Sequence, residues 1–186
     1  KSNIIYALDR KNLKINWFLN LNQSLDLNLN NLFYANSIVS DNKNVVISSI
    51  PFLYILDSNT GTTISREPIT SISKPIITKQ GLFLITPDNL LVYKDLQKQK
   101  IIYSISIADE VANYLNNKKK SIIVKSFFIV NGELFIFLEN SYLVRFDLNG
   151  KIKKITKLPS KIETTPIFIN NSILYLSKKN KLIILN

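Results

Sequence analysis

Four aspartates recur at one place in a repeating pattern: Asp9, Asp57, Asp95 and Asp147 each close a short apolar run. Repeated carboxylates are the raw material of calcium cages and acid–base catalysts. Each of these, however, enters a turn, where an aspartate oxygen accepts backbone N–H groups. The reading is therefore structural. Asp109-Glu110 is a second candidate, because glycoside hydrolysis and related chemistry use two carboxylates. Neighbours in sequence rarely converge on one substrate, and this pair opens a stretch with helical periodicity, where acids suit the helix dipole. Trp17 offers a stacking platform for a ligand. Its expected place on an outer strand favours packing instead, with the indole N–H needing one partner.

The residue types that are missing exclude more. The chain has no His, Cys or Met. Without His or Cys, a zinc or copper site is not expected, which leaves only oxygen-ligand metals, and every triad that uses a histidine base is excluded. No disulfide framework can form. No metal ligand, cofactor-binding residue or catalytic residue is assigned, and the chain reads as a non-enzyme. Hydrophobic residues make up 46% of the 186, enough for a core. No apolar run reaches the roughly 18 residues that span a bilayer. The first residue is Lys1, so a preceding segment that carries targeting information is expected.

The net charge is +11 and it is uneven. Residues 118–186 hold 13 of the 24 Lys+Arg but only 4 of the 13 Asp+Glu. Lys118 to Lys120 and the lysines of 151–157 are the residues that would meet phosphates. Basic residues alone give salt-sensitive, sequence-blind affinity, and no nucleic-acid module accompanies them. Ile, Asn and Lys are all abundant, so Lys also serves as a default surface residue. Sequence-specific nucleic-acid binding is not expected.

The elements that position these residues follow from an internal repeat. Runs such as Leu53-Tyr54-Ile55-Leu56-Asp57 and Leu143-Val144-Arg145-Phe146-Asp147 return at Asp9 and Asp95, and Leu182 to Asn186 closes the chain with Asn in the acid position. Upstream, Pro75-Ile76-Ile77-Thr78 matches Pro166-Ile167-Phe168-Ile169, and Leu82-Phe83-Leu84-Ile85 matches Leu134-Phe135-Ile136-Phe137. Short β-branched and aromatic runs joined by turns read as strands. Asn131-Gly132 is the strongest hairpin signal, and all four glycines, Gly61, Gly81, Gly132 and Gly150, fall between strands, where they are expected to supply positive φ. Four antiparallel strands per unit of about 40 residues is the period of a β-propeller blade. The expectation is an all-β partial propeller: units 1–23, 37–70, 71–107, 121–160 and 161–186, with insertions at 24–36 and 108–120. That is about four blades of a larger ring, or an arc completed by another chain.

The pattern resembles the PQQ-like (quinoprotein-type) propeller repeat, whose signature runs Ala-x-Asp, a Thr-Gly turn, then Trp. Ala7-Leu8-Asp9 with Trp17 fits, although Leu13 stands where Gly is expected. Asp57 to Gly61 carries the Asp and Thr-Gly, with Arg66 near the Trp position. Two classes share this resemblance. Quinoprotein dehydrogenases hold a quinone and calcium with adjacent cysteines and a tryptophan floor, and here there is no Cys and one Trp. The non-catalytic BamB family of outer-membrane assembly lipoproteins is the better likeness. It implies a periplasmic, outer-membrane-associated scaffold that binds protein partners of the β-barrel assembly machinery. Membrane association would come only through a lipid anchor outside this chain. Longer-than-repeat loops are where such scaffolds carry binding. The expected anchors are Leu29, Leu32, Phe33 and Tyr34 in one insertion and Val111, Tyr114 and Leu115 in the other. The first insertion either covers a blade end or offers these side chains to a partner.

Overall fold

The computed structural model describes residues 4–21, 38–118 and 121–185. The expected anchors Leu29, Leu32, Phe33 and Tyr34, with Lys119 and Lys120, lie outside the described residues. The first sheet pairs β1 (Ile4–Leu8) with β2 (Ile15–Asn20). The second has β3 (Val39–Ser40), β4 (Asn44–Ser49), β5 (Phe52–Asp57) and β6 (Thr63–Glu67). The third has β7 (Ile76–Ile77), β8 (Leu82–Ile85), β9 (Leu90–Asp95) and β10 (Lys100–Ser106). After the helix α1 (Ile107–Tyr114), the fourth has β11 (Val124–Val130), β12 (Glu133–Leu138), β13 (Tyr142–Asp147) and β14 (Ile152–Lys157). The fifth has three strands, β15 (Ile167–Ile169), β16 (Ser172–Leu176) and β17 (Leu182–Leu185). Within each sheet, chain neighbours are spatial neighbours, and the registered pairs run antiparallel. The chain divides into two compact units, Lys1–Pro87 with Tyr93–Ile102, and Asp88–Val92 with Tyr103–Asn186.

Turn chemistry explains the short connections. The hairpins at Asn131-Gly132 and Asn170-Asn171 place both turn residues at positive φ, the conformation that lets a two-residue turn follow the strand twist. After each repeated acid, one residue again lies at positive φ: Leu13, Gly61, Gln99 and Gly150. Leu13 and Gln99 carry the steric cost that glycine avoids. Gly81 departs from expectation. It is not at positive φ; instead, an added Cβ would lie 2.3 Å from the Lys94 carbonyl and 2.7 Å from the Tyr93 ring. This glycine makes room for a neighbour.

In the first unit, Ile5, Trp17 and Leu19 of the first sheet pack on buried Leu21 and on Val45, Ile47, Tyr54 and Leu56 of the second. The indole Nε1 of Trp17 donates to the Ser58 carbonyl at 3.0 Å. Its ring lies on Gly61, where an added Cβ would come within 2.5 Å. The second unit repeats this arrangement. Tyr103 donates its hydroxyl to the Leu148 carbonyl at 3.0 Å, and its ring lies 3.2 Å from where a Cβ on Gly150 would stand. Trp17 and Tyr103 each follow an acid by eight residues. Elsewhere in the second unit, Phe168 meets Phe128 and Phe135 edge-on at 5.2 and 5.5 Å between ring centroids. These rings adjoin a core of Phe137, Leu143, Leu158, Ile162, Ile173 and Tyr175.

Glycine replacements separate backbone from packing effects. Gly61→Ala combines a φ of 72° with the Trp17 contact and should destabilise by about 2–4 kcal/mol. Gly132→Ala has similar φ and open space around it, so it should lose only about 1 kcal/mol. Leu13→Gly should gain up to about 1 kcal/mol by relieving its positive φ. Urea unfolding midpoints measure all three, and equal losses at Gly61 and Gly132 would refute the role given to the Trp17 ring.

Candidate functional site

The repeated acids are held apart, each within its own turn. Asp9 Oδ1 accepts the N–H groups of Lys11 and Asn12 at 2.8 and 3.0 Å. Asp57 Oδ1 accepts those of Asn59 and Thr60 at 2.9 and 2.8 Å, with the Thr60 hydroxyl at 3.0 Å. Asp95 takes Gln97 and Lys98 at 2.9 Å, and Asp147 takes Asn149 and Lys151 at 2.9 Å. Asp41, which the repeat does not mark, does the same between β3 and β4 with Lys43 and Asn44 at 2.7 and 2.6 Å. Backbone bonding favours the ionised form. The Thr60 N–H holds the Asp57 carboxyl below the usual aspartate range, and the Lys98 N–H does so for Asp95. Among the described residues, no three of His, Cys, Asp and Glu converge as metal ligands.

The carboxylate pair Asp109-Glu110 occupies the first turn of α1, where the Ser106 side chain caps the helix by accepting the Asp109 N–H at 3.2 Å. The helix is shorter than its sequence pattern suggests. It ends at Tyr114 and has no basic residue in its last turn, so Lys118 lies beyond its reach. The apolar set splits as well. Ile107 and Val111 are buried, whereas Tyr114 and Leu115 stay 48% and 36% exposed. A small cavity of about 90 Å³ is lined by Val111 and Leu115 together with Ala108, Ala112 and Tyr142.

Two features escaped the sequence reading. A cavity of about 720 Å³ lies beside Phe135, Leu143, Phe168 and Ile184, with Arg145 and Lys154 at its wall. The Arg145 guanidinium stands 5.1 Å from the centroid of the Phe135 ring and pairs with Glu133 at 2.6 Å. This orients it as a fixed donor fork. The signal was available: Arg145 stands two residues before its acid, where other units carry Ile55 and Tyr93. The second feature is Lys94, fully buried and paired with Glu67 at 2.5 Å. Its position, directly before Asp95, is Leu8, Leu56 or Phe146 in other units.

No family model matches the sequence, and no curated protein matches it. Solved structures do. BamB from Moraxella catarrhalis aligns over 99% of this chain and 64% of its own, with a TM-score of 0.54 and 12% identity. The dihydro-heme d1 dehydrogenase NirN, in complex with DHE, aligns over 96% of this chain and 38% of its own, with a TM-score of 0.70 and 11% identity. The computationally designed Ika4 protein aligns over 81% of this chain and 91% of its own, with a TM-score of 0.58 and 11% identity. The chain thus spans less than two thirds of the length of BamB or NirN. At these identities the likeness establishes the fold: a nearly all-β chain of four-stranded antiparallel sheets, a partial β-propeller.

Two measurements follow. Asp57 and Asp95 have lowered folded-state pKa values, so their contribution is present in full above the ordinary aspartate range and is lost as pH falls below that range and through the lowered folded values. The thermal midpoint should be flat from neutrality to about pH 5 and fall below about pH 4, and less steeply in Asp57→Asn, whose amide oxygen still accepts. Glu67→Gln leaves the Lys94 ammonium buried without a counter-charge and should lose about 3 kcal/mol in urea unfolding. Adding Lys94→Met should recover most of that loss, and an additive double mutant would refute the pairing.

Proposed function

We propose that this partial propeller is a non-catalytic, protein-binding scaffold of the PQQ-like repeat type, acting as BamB-like proteins do in outer-membrane β-barrel assembly. The observation that carries this reading is the division of labour among its residues. The acids that recur are bonded into turns, while the insertion that departs from the repeat presents Tyr114 and Leu115 to solvent. An exposed aromatic and an aliphatic side chain, backed by buried Ile107 and Val111, form a compact apolar anchor of the kind that dominates binding energy at interfaces. The likeness to BamB supports the choice of partner class, a component of the β-barrel assembly machinery. It also supports a periplasmic, outer-membrane-associated location. No described helix is long and apolar enough to cross a membrane, and attachment would come through a lipid anchor outside these 186 residues.

Titration of the chain against purified barrel-assembly components tests the proposal. Tyr114→Ser with Leu115→Ser should weaken binding to one of them about tenfold or more, with an unchanged far-UV circular dichroism spectrum. Binding as tight as that of the unaltered chain, both by this variant and by one that also lacks residues 24–36, would contradict it.

A further inference from the structure

Helix α1 and the turn between β12 and β13 bound a notch whose size and rim together select one kind of occupant. Val111 and Ile122, 9% and 7% exposed, form its buried wall, and Ala112, Leu115 and Tyr142 extend the apolar lining. Its volume of about 90 Å³ is smaller than the roughly 150 Å³ of an apolar cavity that takes up benzene. One aliphatic side chain fits, and an aromatic ring does not. The surface side of the notch is polar, with Asn117, Lys118 and Asn140 all exposed. Among the described residues, neither of these amide side chains nor the Lys118 ammonium has a hydrogen-bond or ion-pair partner. Lys157, exposed and likewise unpaired among them, is the register partner of Tyr142, which brings it to the same face. The acids near the notch are committed elsewhere. Glu139 pairs with Lys178 at 3.3 Å and Lys125 at 3.9 Å. Asp109 and Glu110 lie in the first turn of α1, at its other end.

We propose that this notch receives an extended segment of a protein partner in which an aliphatic residue stands beside acidic ones. The aliphatic side chain enters between Val111, Ala112, Leu115 and Ile122 and is removed from water there. The Asn117 and Asn140 amides each carry donors and an acceptor, which suits them to the N–H and C=O groups of the entering main chain. Lys118 and Lys157 attract the flanking carboxylates, and that attraction weakens as salt screens it. Three features of the ligand are thus read separately: volume, backbone and charge. An aromatic anchor fails on volume and a basic segment on charge. A second copy of this chain is a poor occupant, because its net charge is +11. The inference rests on the proposed scaffold role and adds to it what the partner must present at α1.

Short capped peptides titrated against the intact chain, with amide chemical shifts as the readout, test it. A peptide with one leucine flanked by aspartates should shift the amides of Leu115, Asn117 and Asn140, and bind more weakly as salt rises. Replacing its leucine by serine or tryptophan, or its aspartates by lysines, should weaken binding about tenfold or more. On the chain, Ala112→Leu fills the notch with a residue that helices favour, and Lys118→Glu with Lys157→Glu reverses the rim charge. Each should weaken binding of the aspartate–leucine peptide about tenfold. Circular dichroism checks that both variants fold, and Ala108→Leu serves if Ala112→Leu does not. Absence of shifts at these amides up to millimolar peptide overturns the proposal, as does equal affinity for the tryptophan or the lysine peptide. The same variants, titrated against purified barrel-assembly components, separate this inference from the reading beneath it. If Tyr114→Ser with Leu115→Ser loses binding while the notch-filling and charge-reversed variants keep it, the scaffold role stands and the notch proposal falls. If the aspartate–leucine peptide binds as stated and no barrel-assembly component does, the notch proposal stands and that choice of partner falls.

Discussion

An aromatic ring laid on the turn of the next sheet is the contact on which this architecture depends. A four-stranded antiparallel sheet is too small to bury both faces by itself, so stability comes from neighbouring sheets that cover one another. Apolar packing alone is indifferent to register along the strands. Trp17 supplies the register, because its N–H must reach the Ser58 carbonyl while its ring needs the space that Gly61 leaves. Tyr103 does the same with Leu148 and Gly150. The hydroxyl and the indole N–H both bond the carbonyl of the residue after the acid. The acid, the glycine and the aromatic thus form one device distributed over two sheets, and the repeated aspartates serve it by holding the turn in shape.

Function on such a frame falls to what the frame does not use. Helix α1 interrupts the succession of sheets and turns two side chains, Tyr114 and Leu115, away from its own buried face. Arg145 interrupts an apolar strand and is held rigid by Glu133 and Phe135.

Much of the fold was readable in the residues, because strand alternation and turn chemistry are local. Asn131-Gly132 can adopt the positive φ pair that a two-residue hairpin needs, and the apolar runs before each acid are too short for anything but strands. The all-β, propeller-type class followed from their period and is the class observed. What was not readable depends on partners far away in sequence. Nothing near Tyr103 shows that it answers Gly150. Lys94 looks like a surface residue until Glu67 is placed beside it. Gly81 was expected to supply positive φ, yet its small size answers to the Lys94 carbonyl and the Tyr93 ring. The end of α1 was misplaced because a run of lysines imitates a C-terminal turn. Residues 24–36 fall outside the described structure, so their leucines remain a matter of sequence.

The central claim is that neighbouring sheets are held in register by these aromatic contacts, each acting locally. Hydrogen exchange on the Trp17→Ala chain, read strand by strand under native conditions, addresses it most directly. The account predicts that amides of β1, β2, β4 and β5 lose protection while those of β12 and β13 keep theirs. Protection that is unchanged in β4 and β5, or lost equally in β12 and β13, would contradict it.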